Sequence, residues 1–233
     1  MKKRLLHFIA GLFLLTGTSA QTPLPSVAVQ PSIPGFLFDL KGEVLVNKYS
    51  KVTVGTPYFS DDWLKGKLIS TDGRIYDNLS LKLDLVEDDI HFLNDLSQEM
   101  ILNTPVSQLF LNNLVTGQSY TFIKTDKLCQ SNSNTWFQVL DTGKVWLLKT
   151  QSKQVIEHKP YGSSVTEETI ISSVNYYLFS KQVCSPIKSA GELWEKLNEQ
   201  LPGFEEKTKV KGQGKKTEEE LIRLTGEFNK KAR

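Results

Sequence analysis

Polar and apolar residues alternate most regularly between Leu79 and Leu85, where four leucines are separated by three polar residues. Side chains on a strand point to opposite faces in turn, so the leucines share one face and Ser80, Lys82 and Asp84 share the other. A helix would scatter the same leucines around its circumference. The pattern therefore predicts a half-buried β-strand.

Short apolar runs separated by turn-forming residues continue on both sides of this strand. Asp72-Gly73 precedes it, Asp88-Asp89 follows it, and Asn94-Asp95 comes next along the chain. Asp-Gly favours a hairpin turn because both central positions of the commonest two-residue turn need positive φ. The stretch from Gly55 to Leu111 is therefore predicted to be a β-meander.

A second hairpin is predicted where Thr135–Leu140 and Val145–Lys149 flank a turn at Asp141–Lys144. Aromatic and β-branched residues on both arms favour cross-strand pairs. Further short strands are predicted at Gly42–Asn47, Lys51–Val54, Tyr120–Ile123, Gln154–Ile156 and Tyr176–Phe179. We expect a mainly β fold of roughly eight to eleven strands, either an antiparallel meander or a partly closed barrel, followed by two short C-terminal helices.

The two helices are predicted from capping boxes and helical spacing. Ser189 with Glu192, and Thr217 with Glu220, have the spacing of an N-cap and the acidic residue three positions later. The apolar stripes that follow are Leu193, Leu197 and Leu201 in the first helix and Leu221, Leu224 and Phe228 in the second. We expect these stripes to pack on the β domain or on each other.

The first twenty residues have the composition of a signal peptide. Lys2, Lys3 and Arg4 precede an apolar run at Leu5–Leu15, and small residues end at Ala20, where cleavage is expected. The apolar run is too short to span a membrane, so export to the periplasm or the medium is predicted. The remaining divisions are a proline-rich linker at 21–41, an antiparallel β domain at 42–188, and a helical tail at 189–233 with a charged linker at 205–216.

Removing the signal peptide changes the charge of the chain. The full sequence has 28 basic and 26 acidic residues, and without the three basic residues of the signal 25 basic residues remain against 26 acidic ones. A nearly neutral chain without a basic stripe gives no electrostatic reason to expect nucleic-acid binding.

The two cysteines, Cys129 and Cys184, are candidates for one disulfide, because an exported chain meets an oxidising compartment. The alternative is a pair of separate buried thiols. No metal site is predicted, since His91 and His158 do not lie at zinc-ligand spacing from either cysteine. No cofactor is predicted either.

Candidate catalytic groups do not form a convincing set. His91 with Asp89 behind it would be the base of a hydrolase, but its place between Ile90 and Phe92 favours a solvent-facing or edge-strand histidine. The acidic pairs Asp61-Asp62 and Asp88-Asp89 point to opposite faces of an extended chain and are interpreted as turn residues. Gly212–Lys216 lacks the first glycine of a phosphate loop and is interpreted as linker. We therefore predict no catalytic residues and no enzyme.

The segment from Gly55 to Gly66, with its Gly-Thr-Pro-Tyr opening, resembles a group of exported β-rich proteins common in Bacteroidota. Members share a Gly-x-Pro-Tyr block, a Leu-x-x-Gly-Lys hairpin, met here as Leu140–Lys144, a Tyr-Tyr block and a short helical tail. The resemblance extends from Gly55 to the C-terminus and implies an exported protein without an assigned activity. The cysteine pair is a departure from the group.

The function expected from these observations is non-enzymatic binding or assembly in the cell envelope. The expected partner is another envelope protein, docked on the C-terminal helices, with no nucleic acid and no transmembrane segment in the mature chain. Two alternatives stay open: a lipocalin-like carrier of a small apolar ligand, because a small barrel can hold one ligand, and an uncharacterised hydrolase.

Overall fold

The structure is a computed structural model. It describes residues 40–45, 48–124, 135–159, 161–162, 166–201, 204 and 217–232. The predicted signal peptide, nearly all of the proline-rich linker, the charged linker with Gly212–Lys216, and Cys129 lie outside the described residues.

The described residues form a mainly β fold with two helices, as the sequence predicts. The strands are β1 (Gly42–Val44), β2 (Val52–Val54), β3 (Leu64–Ser70), β4 (Ile75–Leu83), β5 (Ile90–Leu93), β6 (Glu99–Leu102), β7 (Val106–Asn112), β8 (Ser119–Ile123), β9 (Phe137–Asp141), β10 (Trp146–His158), β11 (Glu167–Ser180) and β12 (Val183–Ile187). The helices are α1 (Ala190–Gln200) and α2 (Glu218–Lys231).

All the strands belong to one sheet in the order β1-β6-β5-β4-β3-β7-β8-β9-β10-β11-β12, and β2 pairs separately with β11. Neighbours along this order are antiparallel, whereas β2 runs parallel to β11. Within the described part of the chain β1 and β12 end the order without pairing with each other, so the sheet is open and is not a closed barrel.

The predicted leucine strand is the centre of the first core. Leu79, Leu81 and Leu83 of β4 are buried, and the intervening polar residues are more exposed. The three leucines pack with apolar residues of β3, β5, β7 and β8. Asp84 contradicts the prediction: it was expected on the polar face but is buried. The reason is local, because β4 ends at Leu83 and Asp84 forms an isolated bridge with Tyr58.

The aromatics in this core contact one another. The ring of Phe59 lies 4.9 Å from that of Tyr120 and 5.0 Å from that of Phe122, both edge to face. Aromatic pairs favour this geometry beyond the area that they bury. These three rings therefore pack against one another in the first core.

The helices form a second core on the other half of the sheet. Ser189 and Thr217 are the N-caps of α1 and α2, and each accepts a hydrogen bond from the backbone N–H three residues later. The predicted capping is thus confirmed. The helices' apolar residues pack with residues of β10, β11 and β12 and with each other, so the prediction for their stripes is also confirmed.

Polar contacts hold α2 in place on the sheet. Asn229 donates to the backbone oxygen of Val145 at 3.0 Å and accepts from its N–H at 3.1 Å. Glu218 accepts from Tyr176 at 2.9 Å and forms an ion pair with Lys149 at 2.7 Å. The apolar face of this helix is consequently turned toward the sheet.

Candidate functional site

His91 lies in the interior and is not solvent-facing. It is 1% exposed, and β5 lies between β4 and β6, so the interpretation as a solvent-facing or edge-strand residue was wrong. Its Nδ1 lies 2.8 Å from Oε1 of Glu99, and its ring meets Tyr58 edge to face at 5.4 Å. A substrate in solution cannot reach this imidazole.

The carboxylates beside His91 are Asp84 and Glu99, whereas Asp89 was the predicted partner. Oδ2 of Asp84 lies 4.0 Å from Nε2 of His91 and accepts a hydrogen bond from the Tyr49 hydroxyl at 2.6 Å. The other carboxylate oxygen accepts from the backbone N–H groups of Val86 at 2.8 Å and Glu87 at 3.1 Å. Through these hydrogen bonds Asp84 fixes the loop at Tyr49 and the turn after β4.

The tyrosines of this cluster are poor proton donors for chemistry. Burial, followed by the hydrogen bond to Asp84, raises the pKa of Tyr49 well above its ordinary value. Burial, followed by the charges of Glu99 and Asp84, raises the pKa of Tyr58 in the same direction. Both hydroxyls stay neutral hydrogen-bond donors, and the cluster serves to fasten the 48–60 segment to the sheet.

The other acidic pairs and His158 do not converge on this cluster. Asp61 and Asp62 are exposed in the segment before β3, and His158 is exposed at the end of β10. Asp88 lies in the turn between β4 and β5, with positive φ, as a turn residue does. The interpretation of the acidic pairs as turn residues agrees with these positions.

A cavity of about 170 Å³ lies beside this turn. Its lining residues are Asp88, Asp89, Ile90, Leu102, Asn103, Thr104, Pro105, Val106, Lys124 and Trp136. Burial raises the pKa of Asp88 and lowers the pKa of Lys124, whose ammonium lies 5.1 Å from the centre of the Trp136 ring. Binding sites for drug-sized ligands usually enclose about 300–1,000 Å³, so this space is small for such a molecule.

A two-stranded extension of the sheet, here called the ribbon arm, projects beyond the neighbouring strands. It consists of residues 151–158 of β10 paired with residues 167–174 of β11. The other neighbours stop short of it, because β9 pairs with β10 only up to Thr150 and β12 pairs with β11 only from Tyr176. Of the arm, only Gln154–Ile156 was predicted as strand, and this part of the prediction is confirmed. Tyr176–Phe179, also predicted as strand, lies in β11 beyond the arm.

One lysine fastens the base of the ribbon arm to the first half of the sheet. The Lys153 ammonium donates to the backbone oxygens of Thr56 at 2.8 Å and Tyr58 at 2.5 Å. The backbone N–H of Lys153 donates to the oxygen of Leu85 at 2.9 Å. The face of the arm that carries Lys153 is therefore turned toward the body of the protein.

The opposite face carries exposed apolar side chains. Ile156 is 43% exposed and Ile171 is 47% exposed. Register places Ile171 opposite Gln154 and Thr169 opposite Ile156, so both isoleucines lie on the face away from Lys153. Val54 in β2, beside the tip of the arm, adds a third exposed apolar residue.

The hydrogen-bonding direction of β11 follows from the turn that joins it to β12. Lys181 and Gln182 both have positive φ, as a two-residue type I′ turn requires, and they connect the pair Ser180 and Val183. In such a turn the closing pair is hydrogen-bonded, and bonded pairs then recur at every second residue. The even-numbered residues of β11 therefore direct their N–H and C=O groups to the β12 side.

Contacts further along β11 agree with this direction. Glu168 donates its N–H to the oxygen of Lys51 at 3.4 Å, beside β2. The oxygen of Ile170 faces Gly55, where an added Cβ would lie 2.9 Å from it. Ser172 and Val174 follow on the same side, and no backbone hydrogen bond from the described residues reaches them there.

The edge of β11 between β2 and β12 also lacks the features that usually protect a strand edge. Residues 169–180 contain no charged residue and no proline. Residues 171–175 are exposed without interruption. An uncharged, unpaired edge is a template for pairing with another chain, which most proteins block with charges, prolines or bulges.

Metal ligands, membrane-spanning helices and cysteines were compared with the sequence predictions over the described residues. These residues contain no group of three or more potential metal ligands, no helix long and apolar enough to cross a membrane, and no free cysteine. Cys184 is half-buried in β12. It packs against a third, smaller apolar cluster, whose buried residues are Phe137 and Leu148. Because Cys129 lies outside the described residues, the Cys129–Cys184 pairing stays a prediction.

Comparison with protein-family models, with curated proteins and with solved structures finds no match for this chain.

Proposed function

We propose that this chain is an exported, non-enzymatic cell-envelope protein that binds another polypeptide through the ribbon arm. The observation that carries the proposal is the arm itself: a two-stranded extension with Ile156 and Ile171 exposed on one face and an uncharged free edge beside them. Register places Ile156 opposite Thr169 and Val54 beside Thr169, so the exposed apolar side chains are neighbours. Neighbouring exposed apolar groups commonly mark protein interaction sites, whereas isolated ones do not. The resemblance to exported Bacteroidota proteins supports the same cellular location.

The arm is a better docking surface than the C-terminal helices, which the sequence favoured. The buried residues of α1 and α2 contact β10, β11, β12 and each other, so their apolar stripes are already covered. Opening them to a partner would expose the second core. The proposal therefore assigns the partner to the arm.

The two alternatives have less support. A carrier needs apolar side chains around an open chamber, whereas Phe59, Tyr120 and Phe122 contact one another. A hydrolase needs an accessible base, whereas His91 is buried between Asp84 and Glu99. These contacts favour the polypeptide-binding proposal over both alternatives.

The test is recovery of partner proteins from cross-linked envelopes of the native cell. The double variant Ile156→Asp with Ile171→Asp should abolish the recovery of a specific partner without loss of thermal stability, because both side chains are exposed. Leu96→Asp is the matched control, since Leu96 is 78% exposed in the turn between β5 and β6. Equal recovery from the double variant and the wild-type protein would contradict the proposal.

A further inference from the structure

We propose that the free edge of β11 accepts an uncharged, extended segment of the partner polypeptide by strand addition, in the gap between β2 and β12. This inference rests on the proposed function and specifies its binding mode. The gap faces residues 171–175, since β2 pairs with β11 at Glu168 and Thr169, and β12 begins to pair at Tyr176.

The dimensions of the gap set the length of the added strand. Five strand residues extend roughly 17 Å at about 3.3 Å per residue. Gly55 and the chain leaving β2 border one end, and Lys188 after β12 borders the other. The partner is therefore expected to add a strand of about five residues alongside β11, between the end of β2 and the end of β12.

Backbone groups supply the recognition. Ser172 and Val174 each direct one N–H and one C=O into the gap, spaced two residues apart along the strand. An extended peptide presents its own groups with the same spacing, so up to four backbone hydrogen bonds form. Satisfying exposed edge groups in this way is the known basis of recognition by strand addition.

The side chains around the gap indicate an uncharged segment. Ile171 and Ser173 lie on the outer face, and Ser172 and Val174 lie on the face toward the body. A charged partner residue directly opposite them would find no counter-charge on β11. Hydroxyl-bearing and β-branched residues form favourable cross-strand pairs with such neighbours.

A second copy of β11 does not fit this gap. β11 is a strand of 14 residues, and its own β2 and β12 occupy the same row on its free side. Two such strands placed side by side would bring each strand's ends against the partner's β2 and β12. The occupant is therefore a short segment that runs between these strands and then leaves the sheet.

The first test measures amide hydrogen exchange in the full exported chain. Ser172 and Val174 are expected to exchange at least about tenfold faster than Ile171 and Ser173, because only the odd-numbered amides are bonded to β10. Equal exchange rates for the two pairs would overturn the assignment of the free edge.

The second test uses a defined probe, the blocked peptide Thr-Val-Ser-Val-Thr at millimolar concentration. It should slow exchange at Ser172 and Val174 and leave Ile171 and Ser173 unchanged. The same peptide with an N-methyl group on each of its five residues should have no effect, because none of its residues can then donate a backbone hydrogen bond along either edge. A probe that leaves Ser172 and Val174 unprotected, or an N-methylated probe that protects equally, would contradict strand addition.

A substitution separates the binding mode from the proposed function. Ser172→Pro removes the N–H that points into the gap and, like Ser172→Ala, the exposed hydroxyl that accepts from Gln151 at 3.3 Å. Edge positions tolerate proline. Ser172→Pro should retain the melting temperature but reduce probe binding and recovery of the native partner at least about tenfold, whereas Ser172→Ala should change binding less than about twofold.

The outcomes of these variants are distinguishable. Partner recovery that survives Ser172→Pro but is lost with Ile156→Asp and Ile171→Asp would overturn strand addition and leave the proposed function standing. A homodimer that Ser172→Pro abolishes would place a second copy in the gap and would also overturn the inference.

Discussion

At the scale of single residues, the buried cluster at Asp84, His91 and Glu99 explains how an irregular segment is attached to the sheet. Tyr49 and Tyr58 reach this cluster from the segment before β3. The sequence could not predict it, because Glu99 comes to His91 through the register of β5 and β6, which hydrophobic patterning does not specify. Patterning also placed Asp84 on the wrong face, since alternation holds only while the strand continues.

Tyr49→Phe should lower the free energy of unfolding by about 1.5–3 kcal/mol, because it removes a hydrogen bond to a buried carboxylate. Chemical denaturation measures the change. Tyr120→Phe is the control, since its hydroxyl bonds Gln118 at the surface, and it should change the stability by less than about 0.5 kcal/mol. Equal effects of the two substitutions would show that Asp84 does not depend on Tyr49.

Asp88→Asn tests the buried carboxyl in the turn after β4. Burial raises the pKa of Asp88 in the folded state, so the wild-type carboxyl costs stability once pH rises through that raised value. Asn tolerates the positive φ of this position, so the variant should be the more stable protein at pH 7. The difference should vanish in acid, where Asp88 is protonated in both states. A variant that is less stable at pH 7 would contradict this sign.

At the scale of elements, the strand predictions succeeded where one face of the strand is buried and failed where both faces are exposed. β4 was predicted because Leu79, Leu81 and Leu83 alternate with polar residues. The long β10 and β11 were predicted only in fragments, because residues 171–175 are exposed and provide no periodic contrast. The length of the arm depends on the pairing between its two strands, and hydrophobic patterning does not predict this pairing.

Leu83→Asp should unfold the protein, since it buries an unpaired carboxylate in the first core. Lys82→Ala should cost about 0.5–1 kcal/mol, because the ammonium lies 4.7 Å from the ring of Tyr58 and 4.9 Å from that of Trp63. Thermal unfolding of both variants measures the contrast. Comparable damage from the two would mean that the faces of β4 are assigned wrongly.

At the scale of the whole molecule, the sequence predicted the composition of the sheet but not its order. Turn residues located most of the strands, yet the sequence order does not reveal that β3 pairs with β7 or that β2 returns to β11. These pairings depend on long-range packing. The return of β2 to β11 also creates the gap beside β11, so the candidate site was beyond a sequence-based prediction.

The Cys129–Cys184 disulfide is tested on the intact exported chain. Formation of the disulfide should lower the mass by two hydrogens and raise the melting temperature. Closing the loop between Cys129 and Cys184 reduces the conformational entropy of the unfolded chain, which raises the free energy of unfolding by roughly 4 kcal/mol. Melting curves in the presence and absence of reductant measure the effect. Identical curves would remove the stabilising role of the disulfide.

The central claim, that the ribbon arm binds another polypeptide, is tested most directly by photo-cross-linking in living cells. A photoreactive residue at position 171 should give one discrete heavier product, whereas the same residue at position 96 should give none. Absence of a product from position 171, or the same product from both positions, would contradict the account.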